Sequence, residues 1–124
     1  MKKQLNKSGQ ILIALLVFMI IAMTIIAAGV VMLLLNNLGA QKFQQGNIAY
    51  YLAESGIEDA LMRLLRNPSA GNTTLTTPDG TATETINGGT VLSTGVSGNF
   101  VKKIQVQITY SNNQMVIQSW AEVY

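Results

Sequence analysis

The chain has 124 residues and a formal net charge of +2, and it contains neither cysteine nor histidine. These absences exclude a disulfide framework, zinc sites ligated by cysteine or histidine, and histidine-based catalytic triads. Three of the eight cationic side chains belong to Lys2, Lys3 and Lys7, so five remain against six acidic side chains in the rest of the chain. This near-neutral balance lacks the basic patch of a nucleic-acid-binding protein, and no nucleic-acid partner is expected.

The first predicted element is an uncharged apolar helix at residues 11–35. A helix of this length would span about 37 Å, against about 30 Å of bilayer hydrocarbon, so it is long enough to cross a membrane. Three lysines precede the run, and the next cationic residue is Lys42. The positive-inside rule therefore keeps the N-terminus in the cytoplasm and places residues from about 36 onward outside.

Two other interpretations of the apolar run are less favoured. A cleaved secretory signal has an apolar core of about 7–15 residues followed by a small-x-small site, whereas this run is longer and residues 36–41 make a poor site. A core helix of a soluble protein would need apolar sequence on all sides, which the rest of the chain does not supply. The sequence therefore favours a retained, single-pass membrane anchor.

Residues 36–67 are predicted to continue the helix outside the membrane, ending where Asn67 precedes Pro68. Its periodicity gives two apolar sides. The side predicted to pack on a sheet consists of Phe43, Tyr50, Ala53, Ile57, Leu61 and Leu64. The nearly opposite side consists of Ile48, Tyr51, Leu52, Ser55 and Met62. Because a monomer needs only one such side, the second is predicted to contact helices of other subunits, the alternative being ordinary exposure of single apolar residues.

Residues 68–124 are predicted to form a small antiparallel β domain. The Thr-, Gly- and Ser-rich stretch 69–98 indicates a loop with one hairpin, whose strands are 81–86 and 90–94. The clearest strand is 100–110, where apolar and polar residues alternate up to a tight turn at Asn112 and Asn113. The predicted fold class is therefore α+β, a long N-terminal helix whose outer half carries a small antiparallel sheet.

The register of the last hairpin follows from that turn. The predicted pairs are Ile108 with Ile117, Tyr110 with Met115, Val106 with Ser119, Ile104 with Ala121, and Lys103 with Glu122. The same register places Val116, Trp120 and Tyr124 on the face of the sheet away from the helix. On the helix itself, Asp59 and Arg63 are spaced to form an i,i+4 ion pair.

Two motifs resemble a known family. Residues 1–9 are short, basic and polar, and Gly9 and Gln10 stand at the edge of the apolar run, which resembles the class III leader of type IV pilins and pseudopilins. Residues 49–61, AYYLAESGIEDAL, resemble the segment that follows the membrane helix in PilX-like minor pilins. The resemblance covers about residues 1–66 and does not extend to the C-terminal half.

The resemblance implies that a prepilin peptidase cleaves between Gly9 and Gln10 and that the new N-terminus is methylated. Residues 10–35 would then hold the chain in the cytoplasmic membrane until the inner-membrane assembly machinery adds it to a cell-surface filament of pilins, where the same helix forms the core. The residues implied in assembly are Ile11, Leu12, Leu15, Leu16, Phe18, Tyr51, Leu52 and Glu54. Gly56 would give room for close approach of a helix.

One position departs from the family pattern, and the function has alternatives. The fifth mature position, usually a glutamate, is Ala14, which removes a charge that is costly in lipid and favours a minor over a major subunit. The alternatives are a single-pass anchored extracytoplasmic binding domain and a pseudopilin of a secretion or DNA-uptake machine. Glu58 and Asp59 point about 100° apart on the helix and do not share a site, so neither an enzyme nor a bound cofactor or metal is expected.

Overall fold

The computed structural model describes residues 7–124, as one helix followed by a five-stranded antiparallel sheet. The predicted leader at residues 1–6, with Lys2 and Lys3, lies outside the described residues. The elements are α1 Lys7–Arg66, β1 Thr73–Thr77, β2 Gly80–Asn87, β3 Thr90–Ser97, β4 Phe100–Ser111 and β5 Gln114–Val123. The spatial order of the strands is their order in the chain, so the sheet is a meander and the fold is of the predicted α+β class.

The described chain divides into two compact units, with the boundary inside α1 between Ala40 and Gln41. The first unit is entirely helical over its described residues, 7–40. Its large apolar side chains between positions 11 and 35 are 49–75% exposed, and the helix is long and apolar enough to cross a membrane. The hydroxyl of Thr24 donates to the carbonyl oxygen of Ile21 at 2.8 Å, so this polar group needs no partner from outside the helix.

The second unit, Gln41–Tyr124, has a single core between α1 and the sheet. The helix contributes Ala53, Ile57, Ala60, Leu61 and Leu64, and the sheet contributes Val91, Ile104, Val106 and Ile108. The predicted sheet-facing side of the helix is therefore confirmed over its outer part. Phe43 is the exception, because its side chain is 74% exposed.

Small residues bring the helix unusually close to β2 and β3. A Cβ atom added to Gly95 would lie 2.0 Å from the carbonyl oxygen of Ala49 and 2.5 Å from the backbone nitrogen of Ala53. A Cβ added to Gly56 would lie 2.3 Å from Ser93 Oγ. The room at Gly56, which the sequence assigned to the approach of a helix, is thus taken by the sheet of the same chain.

The stretch 69–98 contains more strand than the sequence indicates. The predicted hairpin is present as β2 and β3, each longer than expected, and β1 Thr73–Thr77 occupies part of the predicted loop. β1 consists of four threonines around Leu75, and β-branched threonine fits a half-exposed strand well. The expectation of a loop with one hairpin was therefore wrong, because the polar composition of this stretch was interpreted as a lack of regular secondary structure.

The turn between β4 and β5 and the first pairs beyond it are as predicted. Asn112 and Asn113 have φ angles of 51° and 62°, the left-handed conformation that a two-residue hairpin turn requires. Tyr110 then pairs with Met115, and Ile108 pairs with Ile117. The turn residues therefore set the start of this register.

A β-bulge between Gln107 and Ile108 changes the register of the remaining pairs. Val106 pairs with Trp120, Ile104 with Glu122, and Lys103 with Val123, so the three predicted pairs beyond Ile108 were wrong. The extra residue on β5 is Gln118, and each side chain after it moves to the opposite face of the sheet. Glu122 accordingly forms an ion pair with Lys102, at 2.5 Å, and not with Lys103.

The bulge also corrects the prediction for the last aromatic residues. Paired residues in adjacent strands share a face, and the partner of Trp120 is Val106, which is buried against α1. Trp120 therefore lies on the helix side of the sheet. Tyr124 follows the same side, since the ammonium group of Lys102 lies 5.7 Å from the centroid of its ring. Val116 precedes the bulge and stays on the far face, as predicted.

Candidate functional site

The residues predicted to act in processing lie at the start of α1. Gly9 and Gln10 lie close to Lys7, where the described part of α1 begins, and a Cβ atom added to Gly9 would meet nothing within 4 Å. Glycine is a poor helix former. The peptide bond after Gly9 is therefore in a segment that can leave the helical conformation at low cost.

The predicted anchor residues form a continuous apolar surface. Five of them are also predicted to act in assembly, and all five are exposed in the chain by itself: Ile11, Leu12, Leu15, Leu16 and Phe18. Ala14 lies among them and is also exposed. An apolar surface of this extent is stable only in contact with lipid or with other apolar helices.

The structure separates the outer-helix residues that are predicted to act in assembly. Tyr51 is 62% exposed and Glu54 is partly buried, whereas only 7% of Leu52 is exposed. Leu52 packs against the start of β2, where a Cβ atom added to Gly80 would lie 2.8 Å from Leu52 Cδ1. Its predicted place on the side opposite the sheet was wrong, because its side chain belongs to the helix–sheet contact.

The exposed apolar residues of the outer helix lie on one side and include a residue that the sequence analysis missed. Tyr51, Met62 and Leu65 are 62%, 53% and 63% exposed, and at 100° per residue they fall within about 60° of one another. These three residues are called the exposed helix face below. Leu65 could have been recognised from its i,i+3 spacing to Met62.

A partly exposed charge cluster, whose member Glu84 is buried, connects the end of α1 to the sheet. Arg63 donates from Nε to Asp59 Oδ2 at 2.9 Å, from Nη1 to the carbonyl oxygen of Gly71 at 2.9 Å, and from Nη2 to Glu84 Oε2. The predicted pair of Asp59 and Arg63 is thus confirmed, and Glu84 of β2 is an unpredicted third member. Because the guanidinium group bridges three elements of the chain, the cluster holds the last turns of the helix against the sheet.

Glu84 is completely buried, and its partner residue in β3 is Ser93. Among the described residues, Glu84 Oε1 and Ser93 Oγ are buried without a hydrogen-bond partner. Burial raises the pKa of Glu84, and the hydrogen bond and charge of Arg63 counteract this rise only in part. The Glu84 carboxylate is thus enclosed beneath the helix, where its contact with Arg63 holds the helix and β2 together.

We expect the pKa shift of Glu84 to appear in the pH dependence of stability. A carboxyl group whose pKa is raised in the folded protein contributes stability at low pH and loses it as the pH rises through the folded-state value. The free energy of unfolding of the wild type should therefore rise relative to that of Glu84→Gln when the pH is lowered from 7 to 5. Chemical denaturation of the full chain in detergent micelles measures the difference, with Glu58→Gln as the exposed-carboxylate control. Equal pH slopes for the wild type and Glu84→Gln would contradict it.

Acidic side chains do not gather elsewhere into a site. Within residues 7–124, no group of three or more of them is placed to hold a metal ion. The surfaces considered below are the apolar anchor, the exposed helix face and the surface of the sheet.

Comparisons with known proteins identify no relative. No protein-family model matches the chain, and neither the curated proteins nor the solved structures contain a match. The architecture and the surfaces described above therefore carry the functional conclusion.

Proposed function

We propose that the chain is a structural subunit of a type IV pilus-like filament, assembled through its N-terminal helix after cleavage between Gly9 and Gln10. The observation that carries the proposal is the pilin-like architecture, in which a long, uncharged, exposed N-terminal helix runs on into a helix that packs against a small antiparallel sheet. The leader and the segment 49–61 support it through their resemblance to pilin motifs.

The anchor serves two stages of this function. Before assembly, residues 10–35 lie in the cytoplasmic membrane, where their apolar side chains contact lipid. During assembly, the same side chains must pass into contact with other pilin helices, because water would not solvate them. Burial of even 1,500 Å² would contribute tens of kcal/mol at about 25 cal/mol per Å², before the costs of association.

Because position 14 is alanine, the register between subunits must be set by residues outside the anchor. A carboxylate at this position would be costly in lipid unless it paired with a charge on a neighbouring subunit. With alanine there, the anchor enters the membrane more easily and contributes no such directional contact. Contacts between the outer parts of the subunits must then specify how one copy is placed on the next.

The exposed helix face distinguishes the filament from the main alternative. A single-pass anchored binding domain that never assembles would leave Tyr51, Met62 and Leu65 permanently in water. A filament covers them with neighbouring subunits, which turns their exposure into a source of affinity. A pseudopilin of a secretion or DNA-uptake machine would use the same surfaces and differ in the machinery that assembles it.

The test is intact-mass spectrometry of protein sheared from the cell surface, with the membrane fraction of the same cells as the comparison. We expect the sheared protein to have the mass of a chain that begins at Gln10 and carries one extra methyl group. A full-length chain confined to the membrane fraction would contradict the proposal and favour the anchored domain.

A further inference from the structure

One part of the helix side of the sheet is left uncovered. Ile117 and Trp120 of β5 share this side with Ile108 and Val106, their partners in β4. The β4 residues are almost completely buried by α1, whereas Ile117 and Trp120 are 47% and 41% exposed. The helix side of β5 around these two residues is called the β5 inner face.

The width of the sheet explains why one helix leaves this face open. Adjacent strands lie about 4.8 Å apart, so β5 is about 10 Å from β3. The helix is centred near β3, since Ala49 and Ala53 lie against Gly95. Packed helices have axes about 8–10 Å apart, so a second helix beside α1 would lie directly over β5. The space over the β5 inner face therefore has the dimensions of one helix.

The same chain carries a helix surface that lacks a cover. We propose that the exposed helix face of one copy packs on the β5 inner face of the next copy, an inference that rests on the proposed filament function. Each subunit then supplies the helix that its neighbour's sheet lacks. The two surfaces are different, so the contact is heterologous and repeats along an open series of subunits.

The charges at this contact complement each other. Glu58 lies on the exposed side of the helix, between Tyr51 and Leu65 in angular position. Lys102 lies beside Glu122 on the helix side of the sheet, and 34% of its side chain is exposed. The ammonium group of Lys102 is already paired with Glu122, and its exposed part can take the carboxylate of Glu58 from the neighbouring copy as a second partner.

The size of the contact fits a second copy held by its anchor. The helix between Tyr51 and Leu65 is about 21 Å long, so it covers on the order of 400 Å² on each partner, about half of the roughly 800 Å² per partner typical of stable complexes. The contact is therefore too small to join free copies and adds to the contacts between anchors. It also provides the directional placement that Ala14 does not.

Cysteine crosslinking tests this contact, because the chain contains no cysteine and only the introduced thiols of the subunit can react. The full-length variant Leu65→Cys with Ile117→Cys is expressed in the native host and treated with a short bismaleimide before shearing. We expect a ladder of covalent multimers in the sheared fraction. The matched control is Leu65→Cys with Val116→Cys, because Val116 is 44% exposed but lies on the far face of the same strand. Its yield of multimers should be several-fold lower.

The single tryptophan gives a second readout. If a neighbouring copy covers Trp120, its fluorescence shifts to the blue on assembly, relative to the full chain held as single copies in lipid nanodiscs. A blue-shifted emission already present in single-copy nanodiscs would overturn the proposal in favour of a membrane surface over β5.

The outcomes separate this inference from the proposed function. Processed protein in the sheared fraction, with equal crosslinking of the Ile117 and Val116 variants, would overturn the β5 contact and leave the filament standing. If the chain were full length and absent from the sheared fraction, both the β5 contact and the proposed filament function would be overturned.

Discussion

Replacing Gly9 with leucine should leave the chain full length in the membrane and reduce the protein in sheared surface material to a trace. The resemblance to class III leaders implies that the peptidase requires glycine before the cleaved bond, and a branched side chain would occupy that position. The substitution should not disturb the fold, since a Cβ atom at Gly9 meets nothing within 4 Å. Intact-mass spectrometry of both fractions measures the effect.

The control for this prediction lies within the same helix. Gly39→Ala also places a Cβ atom where nothing lies within 4 Å, but far from the leader. We expect this variant to be processed and exported like the wild type. If Gly9→Leu were processed with the same efficiency as Gly39→Ala, leader cleavage at this site would be refuted, and the proposed filament function would lose its maturation step.

Replacing Gly95 with alanine should cause a large loss of stability. The added Cβ would lie 2.0 Å and 2.5 Å from backbone atoms of Ala49 and Ala53, and backbone atoms cannot rotate away. The helix would have to lift from β3, which we expect to cost about 3 kcal/mol or more. For a unit of this size, the melting temperature should fall by about 12 °C or more.

Thermal unfolding followed by the fluorescence of Trp120 measures this change. Gly71→Ala is the matched control, since it adds the same atom at a glycine with nothing within 4 Å. Its melting temperature should stay close to that of the wild type. Equal melting temperatures for the two variants would show that the helix and sheet do not approach as closely as described.

The main elements were predictable because their signals are local. The uncharged run, the proline-free stretch up to Arg66 and the Asn112–Asn113 turn can each be recognised in continuous sequence. The helix and the turn that they predict are present in the structure. The sheet-facing side of the helix was placed less well, because large residues were given most weight. Ala49 and Gly56 are small, yet they make the closest contacts, and they rotate the buried side of the helix toward Leu52 and away from Phe43.

The surfaces proposed for assembly were less predictable. A β-bulge leaves no mark in an alternating sequence, so the pairing of Trp120 with Val106 could not be read from residues 100–124. Glu84 lies in a polar strand, and only the tertiary structure brings Arg63 to it. Such positions depend on residues distant in the sequence, which pattern analysis of a single chain does not reach.

The close seam between helix and sheet also has a mechanical consequence. A force applied along the helix axis at Gln41 would act on the helix–sheet contact as shear. This is the contact in which Gly95 and Gly56 are closely packed. At the far end of the helix, Arg63 binds Glu84, and the Tyr110 hydroxyl donates to the carbonyl oxygen of Leu64 at 3.3 Å. Sliding the helix over the sheet would have to break these contacts at the same time. The force is therefore distributed over all of them, and they do not break one after another.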